Sequence, residues 1–329
     1  MAANLTLQYQ KAEEAYRRAQ TAQERLRCLE QMLQQIPKHK GTEKLQADLK
    51  TRLKEARDDL LSEASSPRKG KSYRIARQGA GTVIVLGGPN SGKSRVVAEL
   101  TNAQPEVAPY PYTTREPLPA IMSWEGITIQ LVDTPPIAVG HLEPYLVSFA
   151  RTADLVLLCM DGSSDDAPQQ TADVFELLQH RKTVLSNRTG LDEQDLSVVH
   201  VRTLLVVTRG GEEGADVRRE MLSELVDVPG VELFVDLDRS RDVQRLGQVV
   251  FDGLQVLRIY TKRPGEPVNK VDPFTVPIGS TVQDLAEQVH AELAARLKSA
   301  RIWSDSGKSG ESVGREYVLA DGDVVELHT

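Results

Sequence analysis

The string Gly87-Gly88-Pro89-Asn90-Ser91-Gly92-Lys93-Ser94 follows an apolar run, Thr82-Val83-Ile84-Val85-Leu86, and precedes a helix-compatible one, Arg95-Val96-Val97-Ala98-Glu99-Leu100. It fits the pattern G-x-x-x-x-G-K-[ST] in the strand, loop and helix setting that the pattern requires. Glycines at this spacing let backbone N–H groups close around a phosphate at a helix N-terminus. Lys93 offsets charge on the β- and γ-phosphates, and the Ser94 hydroxyl is a Mg2+ ligand. A glycine-rich turn without a ligand is the bland alternative, and the strand and helix on either side count against it. Pro89, Asn90, Ser91, Gly92, Lys93, Ser94 and Arg95 are therefore the residues expected to hold a nucleoside phosphate.

Two later strings complete a nucleotide switch if they fold beside that loop. Tyr112-Thr113-Thr114-Arg115 offers Thr114 to Mg2+ and the γ-phosphate, so Thr114 joins Lys93 as a candidate catalytic residue. Asp133, in Asp133-Thr134-Pro135-Pro136, closes the apolar run at 127–132. A carboxylate at the end of such a strand holds the metal through water. Taken alone, Thr-Thr is a loop and Asp-Thr-Pro a turn; their order after the phosphate loop favours the functional reading. The expected metal set is Ser94, Thr114 and Asp133.

The 329 residues suffice for about two domains of some 150 residues each. Apolar residues at 40% and charged residues at 26% belong to a chain with a packed core. A net charge of -7 argues against a protein that coats nucleic acid without specificity, although a local basic patch can still dock on RNA. Cys28 and Cys159 lack metal-ligand spacing, so neither a disulfide framework nor a zinc site is expected. The apolar run at 155–160 is far too short to span a bilayer, and a cytoplasmic chain with no membrane partner is expected.

Four units are expected along the chain: 1–64, 65–80, 81–255 and 256–329. Apolar residues recur at helical spacing over 5–36, for example Leu26, Leu29 and Leu33, and again over 42–61 with Leu45, Leu49, Leu53 and Leu60. Pro37-Lys38-His39-Lys40-Gly41 breaks the pattern, which predicts a helical hairpin whose leucines face each other or another domain. Such stripes are more often intramolecular core than a dimer seam. Residues 65–80 read as a basic linker with Arg68, Lys69, Lys71, Arg74 and Arg77, either solvated or in contact with RNA. Strand-like runs at 82–86, 127–132, 155–160 and 204–207 alternate with helix-compatible segments, which predicts a three-layer α/β domain. From 256 the pattern turns to short strands at 256–261, 274–277 and 324–327 around a helix opening at Thr281, with Asp284 three residues on.

These residues resemble the developmentally regulated GTP-binding (DRG) proteins of the Obg-like class, which end in a TGS domain. The resemblance is carried by His39-Lys40-Gly41-Thr42-Glu43, Tyr110-Pro111-Tyr112-Thr113-Thr114, Ala150-Arg151-Thr152-Ala153-Asp154 and Arg258-Ile259-Tyr260-Thr261-Lys262. Arg301-Ile302-Trp303 and Leu319-Ala320-Asp321-Gly322-Asp323-Val324-Val325 look like later TGS strands. The resemblance implies a mainly parallel P-loop G domain and a small ubiquitin-like β-grasp domain. It also implies GTP/GDP with Mg2+, a ribosome or RNA partner, and a protein partner reached through the TGS domain or the helical hairpin. In related GTPases an asparagine at the place of Asn90 helps bind K+; here Asn90 either does that or stabilises the loop turn.

Three departures stand against the family pattern. Pro136 replaces the glycine of D-x-x-G and has no backbone N–H for a γ-phosphate, and Ile137 after it cannot orient water. Where N-K-x-D would read guanine the chain has Thr208-Arg209-Gly210-Gly211, which leaves Thr208 and Arg209 as candidate base-side residues and no carboxylate. The Ser-Ala base loop is replaced by Asp236-Leu237. A slow GTPase is the leading expectation and a non-enzymatic docking adaptor the rival. A small-molecule kinase is remote, since nothing between Asp161 and Arg202 resembles an acceptor lid.

Overall fold

The computed structural model describes residues 5–19, 21–63, 73, 75–101, 116–263, 265–268, 271–304, 307 and 309–329. Three helices come first. Helix α1 (Leu7–Arg18) opens at Thr6, whose hydroxyl accepts the Tyr9 N–H at 3.2 Å. The helix expected to run unbroken to Ile36 is divided near Thr21, where a reciprocal capping box forms. The Thr21 hydroxyl accepts the Glu24 N–H and the Glu24 carboxylate accepts the Thr21 N–H, both at 3.1 Å. That box starts α2 (Ala22–Gln35), and its T-x-x-E spacing is a sequence signal outweighed by the longer leucine periodicity. A 3-10 turn at Lys40–Thr42, with buried Thr42 donating to the His39 carbonyl at 2.9 Å, leads into α3 (Glu43–Glu63). The expected hairpin is thus α2 and α3, with α1 added before it. Leu29, Met32, Leu45 and Leu49 are buried in one cluster with Tyr145, Leu146 and Phe149, so the leucine faces pack within the molecule.

The central sheet explains the apolar runs. In chain order it is built from β1 (Thr82–Gly87), α4 (Lys93–Leu100), β2 (Leu118–Trp124), β3 (Ile127–Asp133), α5 (Pro144–Thr152) and β4 (Leu155–Asp161). There follow α6 (Ala167–His180), β5 (Thr183–Ser186), β6 (Gly190–Leu191), β7 (Val199–Thr208), α7 (Ala215–Leu225), β8 (Val231–Val235) and α8 (Ser240–Leu254). The strand order is β2-β3-β1-β4-β7; β8 continues beside the second half of β7, while β5 and β6 pair with its first half. Only β2 and β6 run antiparallel. Successive side chains of a strand point to opposite faces, and a parallel sheet is covered on both. Accordingly Ile84, Leu86, Val156 and Leu158 join one core, while Val83, Val85, Leu155 and Leu157 join a second with Leu246, Val250 and Phe251 of α8.

The register brings the carboxyl ends of five strands level: Val85 pairs with Asp133, Gly87 with Cys159, Asp161 with Thr208, and Thr208 with Val235. Ligands of open α/β sheets bind beyond this edge. The last unit holds β9 (Val256–Thr261), β10 (Phe274–Pro277), α9 (Val282–Val289), α10 (Ala291–Arg296), β11 (Ser299–Trp303), β12 (Ser309–Val313) and β13 (Val324–His328). Its sheet order is β10-β9-β13-β11-β12, with β9 and β13 parallel, and Leu285 and Ala286 of α9 pack into its core. Thr281 and Asp284 form the capping box expected at the start of α9. Arg258 on β9 pairs with Glu125 in the β2–β3 turn and with Asp321, which ties this unit to the central sheet.

Candidate nucleotide site

The phosphate loop takes its shape from two glycines. Gly92 precedes α4 at φ 84°, and a Cβ there would lie 2.9 Å from Thr208 Cγ2. Gly87, at φ 154°, would carry its Cβ 2.5 Å from the Cys159 carbonyl oxygen. The first N–H groups of α4 have no partner within the helix, and its dipole favours an anion beside them. Lys93 is buried and donates to the carbonyls of Gly87 at 3.2 Å and Gly88 at 2.7 Å and to Ser91 Oγ at 3.3 Å. Burial lowers its pKa to about 8, against the opposing pull of Cys159 and Asp133. Asn90 is exposed in the left-handed conformation, φ 57°.

Ser94 donates its hydroxyl proton to Asp133 Oδ2 at 2.6 Å, and Asp133 is only 2% exposed. A hydroxyl and a carboxylate in contact are hard oxygen donors that suit Mg2+. That ion usually completes its shell with water and substrate phosphate rather than with a full protein cage. Among the described residues no cluster of three or more His, Cys, Asp or Glu could hold a metal. Thr114, with the rest of Tyr112 to Arg115, lies outside the described residues. After Asp133 the chain is strapped to β1: Thr134 Oγ1 donates to the Val85 carbonyl at 2.6 Å and the Ile137 N–H to the Gly87 carbonyl at 3.1 Å. The Ile137 side chain is fully buried. Pro136 has no N–H, and the next one is already used.

On the base side, the Thr208 hydroxyl lies within 3.1 Å of the Ser91 carbonyl and 3.2 Å of the Met160 carbonyl, which links the phosphate loop to β4 and β7. Arg209, at φ 50°, forms an ion pair with Asp161 at 2.5 Å. Burial alone would raise the Asp161 pKa, but Ser163 and Arg209 outweigh it and hold the carboxyl below its usual range. The Gly210 N–H donates to the Val235 carbonyl at 2.9 Å, and a Cβ on Gly210 would meet the Val235 nitrogen at 2.8 Å. Arg95 is drawn to Glu99 and Asp238, each at 2.9 Å.

The structure therefore gathers Ser91, Gly92, Lys93, Ser94, Asp133, Thr208 and Arg209 at one edge, and turns Arg95 toward the loop after β8. Sequence reasoning missed Asp161 and Gln170. An acid closing the apolar run of β4 is a signal of the same kind as Asp133. Gln170, 3.1 Å from a Cβ placed on Gly88, carries no sequence signal, because only the packing of α6 brings it there.

Residues 82–189 match the family model of the 50S ribosome-binding GTPase, and residues 257–329 match that of the TGS domain. An uncharacterized GTP-binding protein of Methanocaldococcus jannaschii is 27% identical, covering 93% of this chain and 92% of its own length. Ribosome-interacting GTPase 1 of Saccharomyces cerevisiae is 24% identical over 93% of this chain and 99% of its own. The developmentally-regulated GTP-binding protein 2 homolog of Dictyostelium discoideum is 24% identical over 92% and 98%. Among solved structures, the Schizosaccharomyces pombe YchF GTPase superposes with a TM-score of 0.51 at 12% identity over 78% of this chain and 100% of that one, a likeness of fold. The chain thus carries a P-loop G domain and a C-terminal TGS domain, and over most of its length it is similar to GTP-binding proteins of the DRG kind.

Proposed function

We propose that the chain binds a guanine nucleotide with Mg2+, turns GTP over slowly, and acts in the cytoplasm with the ribosome or another RNA. The observation that carries the phosphate claim is the grouping of buried Lys93 with the Ser94–Asp133 pair at the carboxyl ends of β1 and β3. Ser94 and Asp133 would hold Mg2+, which when bound neutralises phosphate charge. Lys93 supplies the fixed positive charge beside the phosphates, and the α4 N-terminus orients them. Calorimetric titration with GTP, GDP, ADP and XDP in Mg2+, followed by a phosphate-release assay, tests this reading. Absence of any binding would overturn it.

Ile137 favours a second reading, a non-enzymatic docking adaptor, because its N–H is bonded to Gly87 and its side chain is buried where a water-orienting group is needed. Turnover should therefore not exceed the order of 10⁻³ per second, the scale of an unassisted G domain that still has a water-orienting glutamine. Binding without measurable release supports the adaptor. The left-handed turn at Asn90 accounts for that residue without a cation, so equal phosphate release in K+ and Na+ buffers is the expected result. Stimulation by K+ would restore the cation role.

Lys93 gives the binding a pH signature. Its pKa of about 8 in the free protein rises when an anionic phosphate arrives, so the complex holds more protons than the free protein above that pH. Affinity should fall as pH climbs past about 8. Calorimetry in buffers of different ionisation enthalpy should register proton uptake there, and a flat profile would contradict the assignment. The name of the yeast relative supports the ribosome partner. Lys69, Lys71 and Arg74 lie outside the described residues, but if they contact phosphates, co-sedimentation with ribosomes should weaken with salt. The TGS unit and the α2–α3 hairpin are the proposed docking surfaces for a protein partner. Among the described residues no helix is long and apolar enough to cross a membrane.

A further inference from the structure

The Thr208 contact with the Ser91 carbonyl and the Thr208–Val235 register set the carboxyl ends of β7 and β8 beside the phosphate loop, where the base of a bound nucleotide has room to lie. Those strands end in the loops around Gly211 and Asp236. Gly211 has no side chain to offer a base, and the atoms nearest to a Cβ built on it come from elsewhere in the chain. They are Asp236 Oδ2 and Arg239 Nη2, each at 3.9 Å. The Gly210–Val235 hydrogen bond and the Thr208–Val235 register hold the two loops together, so this proximity is built into the sheet.

The geometry points to Asp236 and Arg239 as the base-reading pair of this site, selecting guanine from the β8–α8 loop. The inference rests on the phosphate site proposed above. Guanine presents N–H donors at N1 and N2 beside the O6 acceptor, whereas adenine presents a single exocyclic donor and no carbonyl. A carboxylate beside a guanidinium complements the first edge: Asp236 accepts from N1–H and N2–H, and Arg239 donates to O6. Asp236 is 29% exposed; its Oδ2 accepts from Arg239 Nε at 2.9 Å and its Oδ1 from the Asp238 N–H at 3.2 Å. A carboxylate has about four acceptor positions, so two remain for a base. Arg239 is 69% exposed and extends beyond the pair. Asp161, at the end of β4, already accepts from Ser163 N, Ser163 Oγ and Arg209, so it is less available.

The full chain is titrated with GDP, IDP, XDP and ADP in Mg2+ as wild type, Asp236→Asn and Asp252→Asn, with thermal unfolding as a folding control. The asparagine keeps the acceptor for Asp238 N–H, so the loop is retained. Wild type should prefer GDP to ADP, with IDP between them because it lacks the N2 donors. Asp236→Asn should weaken GDP about 10- to 100-fold, leave ADP unchanged, and gain affinity for XDP, whose 2-carbonyl accepts from the carboxamide. Asp252→Asn, at the far end of α8, changes the charge equally and should alter nothing. Equal GDP affinity in wild type and Asp236→Asn would overturn the base-reading pair. If wild type binds GDP and ADP alike, the pair is overturned while the phosphate site stands. If wild type binds no nucleotide, both fall.

Discussion

Lys93→Met is expected to weaken GDP and GTP binding at least 100-fold while leaving the nucleotide-free protein folded. The lysine is buried and its only described hydrogen bonds are to Gly87, Gly88 and Ser91, so its charge is held at a cost. Burial disfavours that charge and lowers the pKa. A phosphate repays the cost through charge-assisted bonds of about 1.5–3 kcal/mol each. Removing one partner of a desolvated charge pair forfeits about 3–5 kcal/mol, which corresponds to two to three and a half decades in affinity. Methionine preserves the stem and its packing against the strand ends, so thermal unfolding without nucleotide should shift by only a few degrees. Calorimetry that returns wild-type GDP affinity for this variant would remove the phosphate loop from the binding site.

The phosphate loop and most strands were legible because each is dictated locally. Glycines at Gly87 and Gly92 are demanded by positive φ and by contacts that a Cβ would violate. The strands at 82–86 and 155–160 are buried on both faces and read as apolar runs, while 127–132 stays recognisable although Thr128 is exposed and Gln130 is polar. Strand β7 was seen only over 204–207 because its first half, with His200 and Arg202 partly exposed, alternates in polarity beside the short β5 and β6. Strand β2 escaped notice as an antiparallel edge strand with a mostly exposed face and Pro119 in it. The Arg151 and Asp154 matches carried a resemblance without a reason, which the structure supplies. Arg151 donates to the Lys182 carbonyl at 2.8 Å and the Ser197 carbonyl at 3.0 Å, pinning the approach to β5. The resemblance put 208–211 and 236–237 at the two base motifs, but the contact of Gly211 with Arg239 as well as Asp236 carried no local signal, since α7 and β8 separate them along the chain and only strand pairing unites them.

Asp154→Ala should be the most damaging single change away from the nucleotide. This carboxylate, nearly buried, accepts from Arg18 at 2.8 Å, from Arg77, and from the Thr82 N–H at 2.7 Å, and so joins α1, the linker and the first residue of β1. Arg17 beside it is buried against the Arg151 and Ala153 carbonyls. Alanine would leave these guanidinium groups facing one another and the Thr82 N–H without its partner, a loss of about 3–5 kcal/mol read from the urea midpoint. Asp154→Asn, which keeps an acceptor for Thr82, should lose less. Burial would raise the Asp154 pKa, but Arg18, Arg77 and Thr82 outweigh it and lower it. Its stabilisation is therefore complete above the unfolded pKa of about 3.9 and lost as pH falls through the folded value. Wild type should accordingly lose more stability than Asp154→Asn on acidification below about pH 4. Because β1 leads directly into the phosphate loop, saturating GDP at about 100 times its Kd should return roughly 2.7 kcal/mol to Asp154→Ala, and nothing comparable to Lys93→Met at the same concentration. Equal rescue of both variants would show that nucleotide is held somewhere other than at the end of β1.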